Sequence, residues 1–243
     1  KRFINNFDSL DNAVYNGEVL LDKFDLGNLF DDDAFGDFSF EGLVDGKGFR
    51  LENINTQLKG TISQIEFNKY NYQNITVNGL YQNNLFNGKL GFFDDNLNGT
   101  FEGLADLSEE INKFDFKTTI NYANLRALNL YSRDSISELS GVIDLDLTGN
   151  KLDNVIGIAN FKNIEYTNEK ELYPFKQFLI FSTLNDGVRQ VRIDSEDIIK
   201  GELIGDFKFE EMLPLAQNAL GSMYANYTPY KVSLNQFLKF DFV

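Results

Sequence analysis

Histidine, cysteine and tryptophan are absent from this chain, and proline and methionine contribute 3 and 2 residues. Without His the commonest general base, the Ser-His-Asp triad and the usual zinc ligands drop out together. Without Cys there are no disulfides and no thiolate chemistry, although this alone names no compartment. The lack of Trp weakens a carbohydrate-binding reading. Positive charge is also scarce: 22 basic against 37 acidic residues leave a net charge of −15, which repels phosphate backbones and anionic headgroups and argues against nucleic acid. No apolar run approaches a membrane span, and the longest, Phe178 to Leu184, is broken by Ser182 and Thr183. The chain begins at Lys1 and shows no targeting segment, so the expectation is a processed or excised fragment whose membrane anchor, if any, lies outside it.

What the chain does have is a repeated strand signature. Ser39-Phe-Glu-Gly-Leu-Val-Asp45 returns as Thr100-Phe-Glu-Gly-Leu-Ala-Asp106. A looser form, apolar residues two positions either side of Gly, recurs at Leu58–Ile62, Phe86–Leu90, Leu97–Phe101, Leu139–Ile143 and Ile199–Leu203. Side chains alternate across a strand, so Leu97, Gly99, Phe101, Gly103 and Ala105 share one face while Asn98, Thr100, Glu102 and Asp106 share the other. The same split separates Phe38, Phe40, Gly42 and Val44 from Asp37, Ser39, Glu41 and Asp45, and Ile143, Leu145 and Leu147 from Asp144, Asp146 and Thr148. One face is apolar and the other acidic or neutral polar, which favours an antiparallel sheet over parallel strands buried on both sides. The expected fold is all-β: a long antiparallel meander curled into a trough with a hydrophobic concave face. Gly between the large side chains is expected to leave room on that face.

Turn-rich punctuation at Asn16-Gly17, Asp45–Gly48, Asn78-Gly79, Asn83-Asn84, Asp94–Asn96, Gly149-Asn150 and Asp186-Gly187 supports a meander or stacked array. The chain reads as a segment of one elongated array over residues 1–243. Strands occupy mainly residues 16–208, with a closing strand or strands within 230–243. Offset phases at Ile62 and Ile65 predict a bulge near Gln64. Two helical exceptions are expected: a short turn at Ser108–Asn112 with Ser108 as N-cap, and an amphipathic helix over about 210–225. In the latter, Met212, Ala216, Ala219, Leu220 and Met223 fall at helical spacing, and the stripe reads as packing on the sheet.

No catalytic constellation stands out, and the reading is of a non-enzyme without cofactor or metal. Asp31–Asp33 and Asp94-Asp95 read as solvated turns, since no EF-hand spacing is present. Chance pairs among 37 acids carry no glycosidase signal. The Asn-x-Thr sequons at Asn74, Asn98 and Asn226 read as chance in an Asn-rich chain.

Phe24-Asp-Leu-Gly-Asn-Leu29, Tyr70–Ile75 leading into Asn78-Gly79, Phe86-Asn-Gly88, Asp95-Asn96, Phe101–Leu107 and Ala123–Leu130 occur in an order that resembles the TamB proteins of Bacteroidota. Gly205–Phe209, Gln217–Gly221 and Tyr227–Lys231 extend the resemblance, which covers about residues 16 to 240; each motif alone is only a strand and a turn. TamB belongs to the AsmA-like group. The resemblance implies a long periplasmic protein held in the inner membrane by an N-terminal helix outside this chain, its strands stacked into a trough that reaches toward the outer membrane. It further implies a link with BamA-like outer-membrane barrels, with outer-membrane protein assembly and with phospholipid movement between membranes. It supplies no catalytic residues.

The resemblance and the face pattern together point to phospholipid acyl chains as the filling of the groove. The candidate lining residues are Phe38, Phe40, Val44, Ile62, Leu90, Phe92, Phe101, Ala105, Phe116, Ile120, Ile143, Leu145 and Leu147. Alternating Phe and Gly suit a closed sandwich core equally well, and the pattern alone prefers that, because most apolar faces are packed by protein; the resemblance reverses the preference. Two further classes remain: a periplasmic β-rod whose strand edges assist barrel assembly without carrying lipid, and a surface adhesin or filament subunit.

Overall fold

The computed structural model describes residues 13–48, 53–108, 110–209 and 237–242. Thirteen strands and one short helix follow one another: β1 (Val14–Asp25), α1 (Leu26–Phe30), β2 (Phe35–Lys47), β3 (Asn55–Phe67), β4 (Tyr70–Gln82), β5 (Leu85–Asp94), β6 (Leu97–Asp106), β7 (Lys113–Asn124), β8 (Ser137–Thr148), β9 (Ile156–Asn168), β10 (Leu172–Asn185), β11 (Val188–Asp194), β12 (Lys200–Asp206) and β13 (Phe237–Phe242). All belong to one sheet in which spatial order equals chain order. Every pairing is antiparallel. The sheet is open and uncurled, the connectivity of a trough-like meander, with β1 and β13 at its two edges. Among the described residues, elements make substantial contact only with their chain neighbours, so no second layer is clasped over the first. None of the described helices is long and apolar enough to cross a membrane.

Local chemistry explains the turns. Asn68-Lys69, Asn83-Asn84 and Asp186-Gly187 each place two successive residues at positive φ. This is the backbone of a two-residue hairpin loop whose twist matches the flanking strands. The β5–β6 turn uses Asp94 instead, whose carboxylate accepts the Asn96 N–H at 2.8 Å. Two expected turns lie inside strands: Asn16-Gly17 in β1 and Asn78-Gly79 in β4. An Asn-Gly pair signals a hairpin only where both residues take positive φ, and neither Asn16, Asn78 nor Gly79 does so.

The helical expectations fare differently. Ser108 caps no helix; its N–H and hydroxyl both donate to Asp106, making a side-chain-stabilised bend. The expected helix at 210–225 lies outside the described residues. A helix not foreseen, α1, starts where the Asp25 carboxylate accepts the Asn28 N–H at 3.0 Å and stops at Asp31, which turns left-handed at φ 52°.

One irregularity runs across the sheet as a line. Tracing partners gives a single row: Leu21, Phe40, Ile62, Ile75, Phe92, Gly99, Ile120 and Gly141. Immediately beyond that row, register shifts occur between Leu21 and Phe24, Ser39 and Phe40, Asn98 and Gly99, Ile120 and Ala123, and Ser140 and Val142. Lys23, Asn74 and Asn163 adopt φ of 52°, 54° and 49° along the same line. The bulge expected near Gln64 is one point of it, because Ile62 pairs with Phe40 whereas Gln64 pairs with Ser39. Each extra residue restores the facing that it would otherwise invert, so Phe38, Ile65 and Tyr72 stay on the same face as Phe40 and Ile62.

Candidate functional site: the apolar face of the sheet

Register assigns each candidate side chain to a face, because directly paired residues point the same way. All thirteen sequence-derived candidates fall on one face. Phe40, Ile62, Phe92 and Ile120 lie in the row just inside the bulges. Leu90, Phe101 and Ile143 lie in the next row, beside Val77 and Phe161. Val44, Phe116 and Leu145 share a third with Leu58, Ala159 and Ile180. Ala105 and Leu147 belong to a fourth with Phe86 and Phe114. Phe38 sits beyond the bulges, its ring stacked 6.3 Å from that of Phe40.

The burial of this face is half complete. Phe40 is 3% exposed, whereas the other twelve candidates keep intermediate exposure. Side-by-side packing within the sheet covers their flanks, and nothing among the described residues roofs the middle of the face. The sequence-derived set stopped at β8, and the apolar rows continue through Phe161 and Ala159 of β9 and Phe178 and Ile180 of β10. Their alternation signal is weaker because the opposite face there also carries apolar residues, namely Ile156, Ile158, Leu179 and Phe181.

The glycines do not leave open space, contrary to expectation. A Cβ on Gly42 would lie 2.8 Å from the Phe40 ring, and one on Gly60 would lie 2.9 Å from it. A Cβ on Gly79 would lie 2.9 Å from the Phe86 ring and 2.8 Å from the Asn87 carbonyl oxygen. The rings lie down across cross-strand glycines, which shields that backbone and replaces notches with a floor of aromatic surface. Phe86, Phe101 and Phe116 continue it obliquely over β5, β6 and β7, with centroids 6.0 and 4.9 Å apart.

Aromatic type changes toward the strand ends. On this face Tyr15 and Tyr81 stand near one end of their strands, and Tyr70, Tyr72, Tyr166 and Tyr173 near the other. Phe, Leu, Ile and Val fill the interval. Asp94 anchors one border. It is 8% exposed and accepts from the Tyr70 hydroxyl at 2.5 Å, the Gln73 N–H at 2.8 Å and the Asn96 N–H. The expectation of a solvated turn fails for this residue: its carboxylate supplies an acceptor where β4 is distorted at Asn74. Burial, then the adjacent Asp94, pushes the Tyr70 hydroxyl up to about 12. A loop from the β7–β8 connection reaches back along the same border, with the Asn129 side-chain amide donating to the Asn68 carbonyl at 3.0 Å and Leu128 fully buried.

The rows end differently at β10–β12. There Val191 and Leu203 are buried together with Phe207, and Ile180, Ile193 and Phe209 pack against them. Beside this cluster Arg189, 1% exposed, points from the apolar face of β11. Its Nη1 donates to the Val155 carbonyl at 2.9 Å and to Ser182 Oγ at 3.1 Å, and its Nη2 donates to the Asp153 carbonyl. The Phe209 ring lies 5.7 Å from its guanidinium carbon, and the Phe209 N–H donates to Asp153 Oδ1 at 2.6 Å. Burial lowers the guanidinium pKa from its ordinary value.

Fold and face define a class: a single-layer open antiparallel meander, polar on one side and apolar on the other. No family model matches the chain, and neither does any curated protein or solved structure.

Proposed function

We propose that this chain is a segment of a TamB-like periplasmic protein whose apolar face forms a groove for passive phospholipid transfer between inner and outer membranes. The carrying observation is the set of four apolar rows running from β2 to β9, partly exposed and without a protein roof among the described residues. Removing apolar surface from water is worth about 25 cal/mol per Å², so acyl chains are a favourable cover. The border tyrosines fit the same reading, since an aromatic ring with one polar tip suits the level where hydrocarbon gives way to headgroup and water. Thirteen strands at about 4.8 Å spacing extend the face by roughly 60 Å. The sheet as it stands is open and uncurled, and the line of bulges is where bending it would make a trough.

In this mechanism lipid tails slide over the aromatic floor with headgroups at the open side, and no bond is made or broken. Direction comes from outside the segment. The partners are phospholipid acyl chains, a BamA-like outer-membrane barrel and, through an anchor outside this chain, the inner membrane. A lipid-free scaffold for barrel assembly is the second reading, favoured by β1, a twelve-residue edge strand whose outer side pairs with no described strand.

The test is mass spectrometry of lipids extracted with the purified chain, together with photo-crosslinking to acyl-chain probes. Phe101→Asp and Leu145→Asp are expected to abolish crosslinking with the sheet intact by circular dichroism. Unaltered labelling in both folded variants removes the conduit reading. Absence of lipid, with crosslinks to a barrel at the β1 edge, favours the scaffold.

A further inference from the structure

We infer that Phe207 and Phe209 form a stopper at one end of the apolar face, latched by Asp153 and Arg189; this rests on the lipid-groove reading above. Ile180 and Ile193 continue the row that contains Val44, Phe116 and Leu145, so by register the groove should extend over β10 and β11. The face is closed one row further on, where Val191 and Leu203 are 7% and 6% exposed in a cluster with Phe207, against which Ile180, Ile193 and Phe209 pack. These two rings leave β12 at Asp206 and turn onto the apolar face, their rings 5.5 Å apart in an edge-to-face pair.

The latch is polar, which distinguishes it from ordinary core packing. Asp153, in the β8–β9 loop, holds the Phe209 N–H with its carboxylate and receives Arg189 at its carbonyl. Arg189 also holds Val155 and Ser182 and lies against the Phe209 ring. Three chain segments, 153–155, 182–189 and 207–209, are thereby tied across the end of the face. Arg189 donates to the Val155 and Asp153 carbonyls and to the Ser182 hydroxyl, with the Asp153 carboxylate near enough to act on its charge. Displaced, the two rings would uncover Val191 and Leu203 and extend the groove onto β11 and β12; in place, they confine tails to the face over β2–β10.

The experiment incubates the chain with phosphatidylethanolamine vesicles doped with a diazirine-acyl phosphatidylethanolamine, then maps labelled residues by mass spectrometry. In the unaltered chain, label is expected at Phe101 and Leu145 and not at Val191 or Leu203, which are buried with Phe207. Phe207→Ala/Phe209→Ala exposes the end directly, and Asp153→Ala removes the carboxylate that holds the Phe209 N–H without touching an apolar side chain. Losing a hydrogen bond to a charged acceptor shifts an opening equilibrium roughly tenfold or more, so the ratio of Leu203 to Phe101 labelling should rise by about that factor. Equal labelling of Leu203 and Phe101 in the unaltered chain, or an unchanged ratio in the variants that retain the sheet by circular dichroism, overturns the stopper while leaving the groove standing. No label at Phe101 in the unaltered chain overturns the groove reading and the stopper with it.

Discussion

At the scale of single residues, the aromatic floor depends on glycines that admit nothing larger. A Cβ at Gly79 meets the Asn87 carbonyl at 2.8 Å and both the Gly88 Cα and the Phe86 ring at 2.9 Å. Gly79→Ala is therefore expected to cost about 1–3 kcal/mol, the usual range for overpacking, in equilibrium denaturation. Asn78→Ala, one position away on the exposed polar face, should stay within about 0.5 kcal/mol. A second residue-scale expectation concerns alkaline pH. The Tyr70 hydroxyl titrates near 10.0 when free and at about 12 in the fold, chiefly because it is buried. Between those values the unfolded chain has released a proton that the folded chain retains, so stability falls as pH rises through that interval. Tyr70→Phe lacks this component, and its stability deficit relative to the unaltered chain should shrink from pH 10 to pH 12 in urea titrations.

At the scale of elements, the line of bulges makes a sharp demand on backbone conformation. Asn74 sits in β4 at φ 54°, a region that Asn tolerates and a β-branched residue does not. Asn74→Val is expected to lose about 1–2 kcal/mol on that account, whereas Asn74→Gly should be neutral or slightly stabilising; thermal melts of the two separate backbone strain from side-chain loss. This line also marks the limit of what the sequence discloses. Facing along β2, β6 and β8 was readable because alternation is a property of adjacent residues, and the Ile62–Ile65 offset betrayed one bulge. Leu21–Phe24 and Phe161–Ile164 carry the same three-residue spacing, but apolar Leu20 and Ile158 on the opposite face blur the phase there, so those bulges appear only when neighbouring strands are laid side by side. The Asp25 cap of α1 was legible in principle as Asp followed by a buried Leu26, but a five-residue helix lacks the periodicity that makes helices visible. Asn78-Gly79 misled because its turn chemistry is overruled by the Phe86 ring. The Asp153–Phe209 latch joins residues far apart in the chain, which no local pattern reports.

At the scale of the whole molecule, the described strands make substantial contact only with their neighbours in the chain, so their cohesion is mainly a sum of adjacent interfaces. Unfolding is accordingly expected to be less than all-or-none. Scanning calorimetry should give a calorimetric enthalpy larger than the van't Hoff enthalpy, whereas a compact two-state domain gives equal values. Coincidence of the two would mean that the apolar rows couple distant strands more tightly than nearest-neighbour pairing allows.

The sequential order has a consequence for biogenesis. No strand has to wait for a distant partner: once β1 and β2 exist, each later segment finds its docking edge already made by the one before it. The sheet can therefore grow one hairpin at a time, each new strand covering the flanks of the apolar side chains on the strand before it. Only the cluster over β10–β12 would wait, because Phe207 and Phe209 follow β12 in the chain.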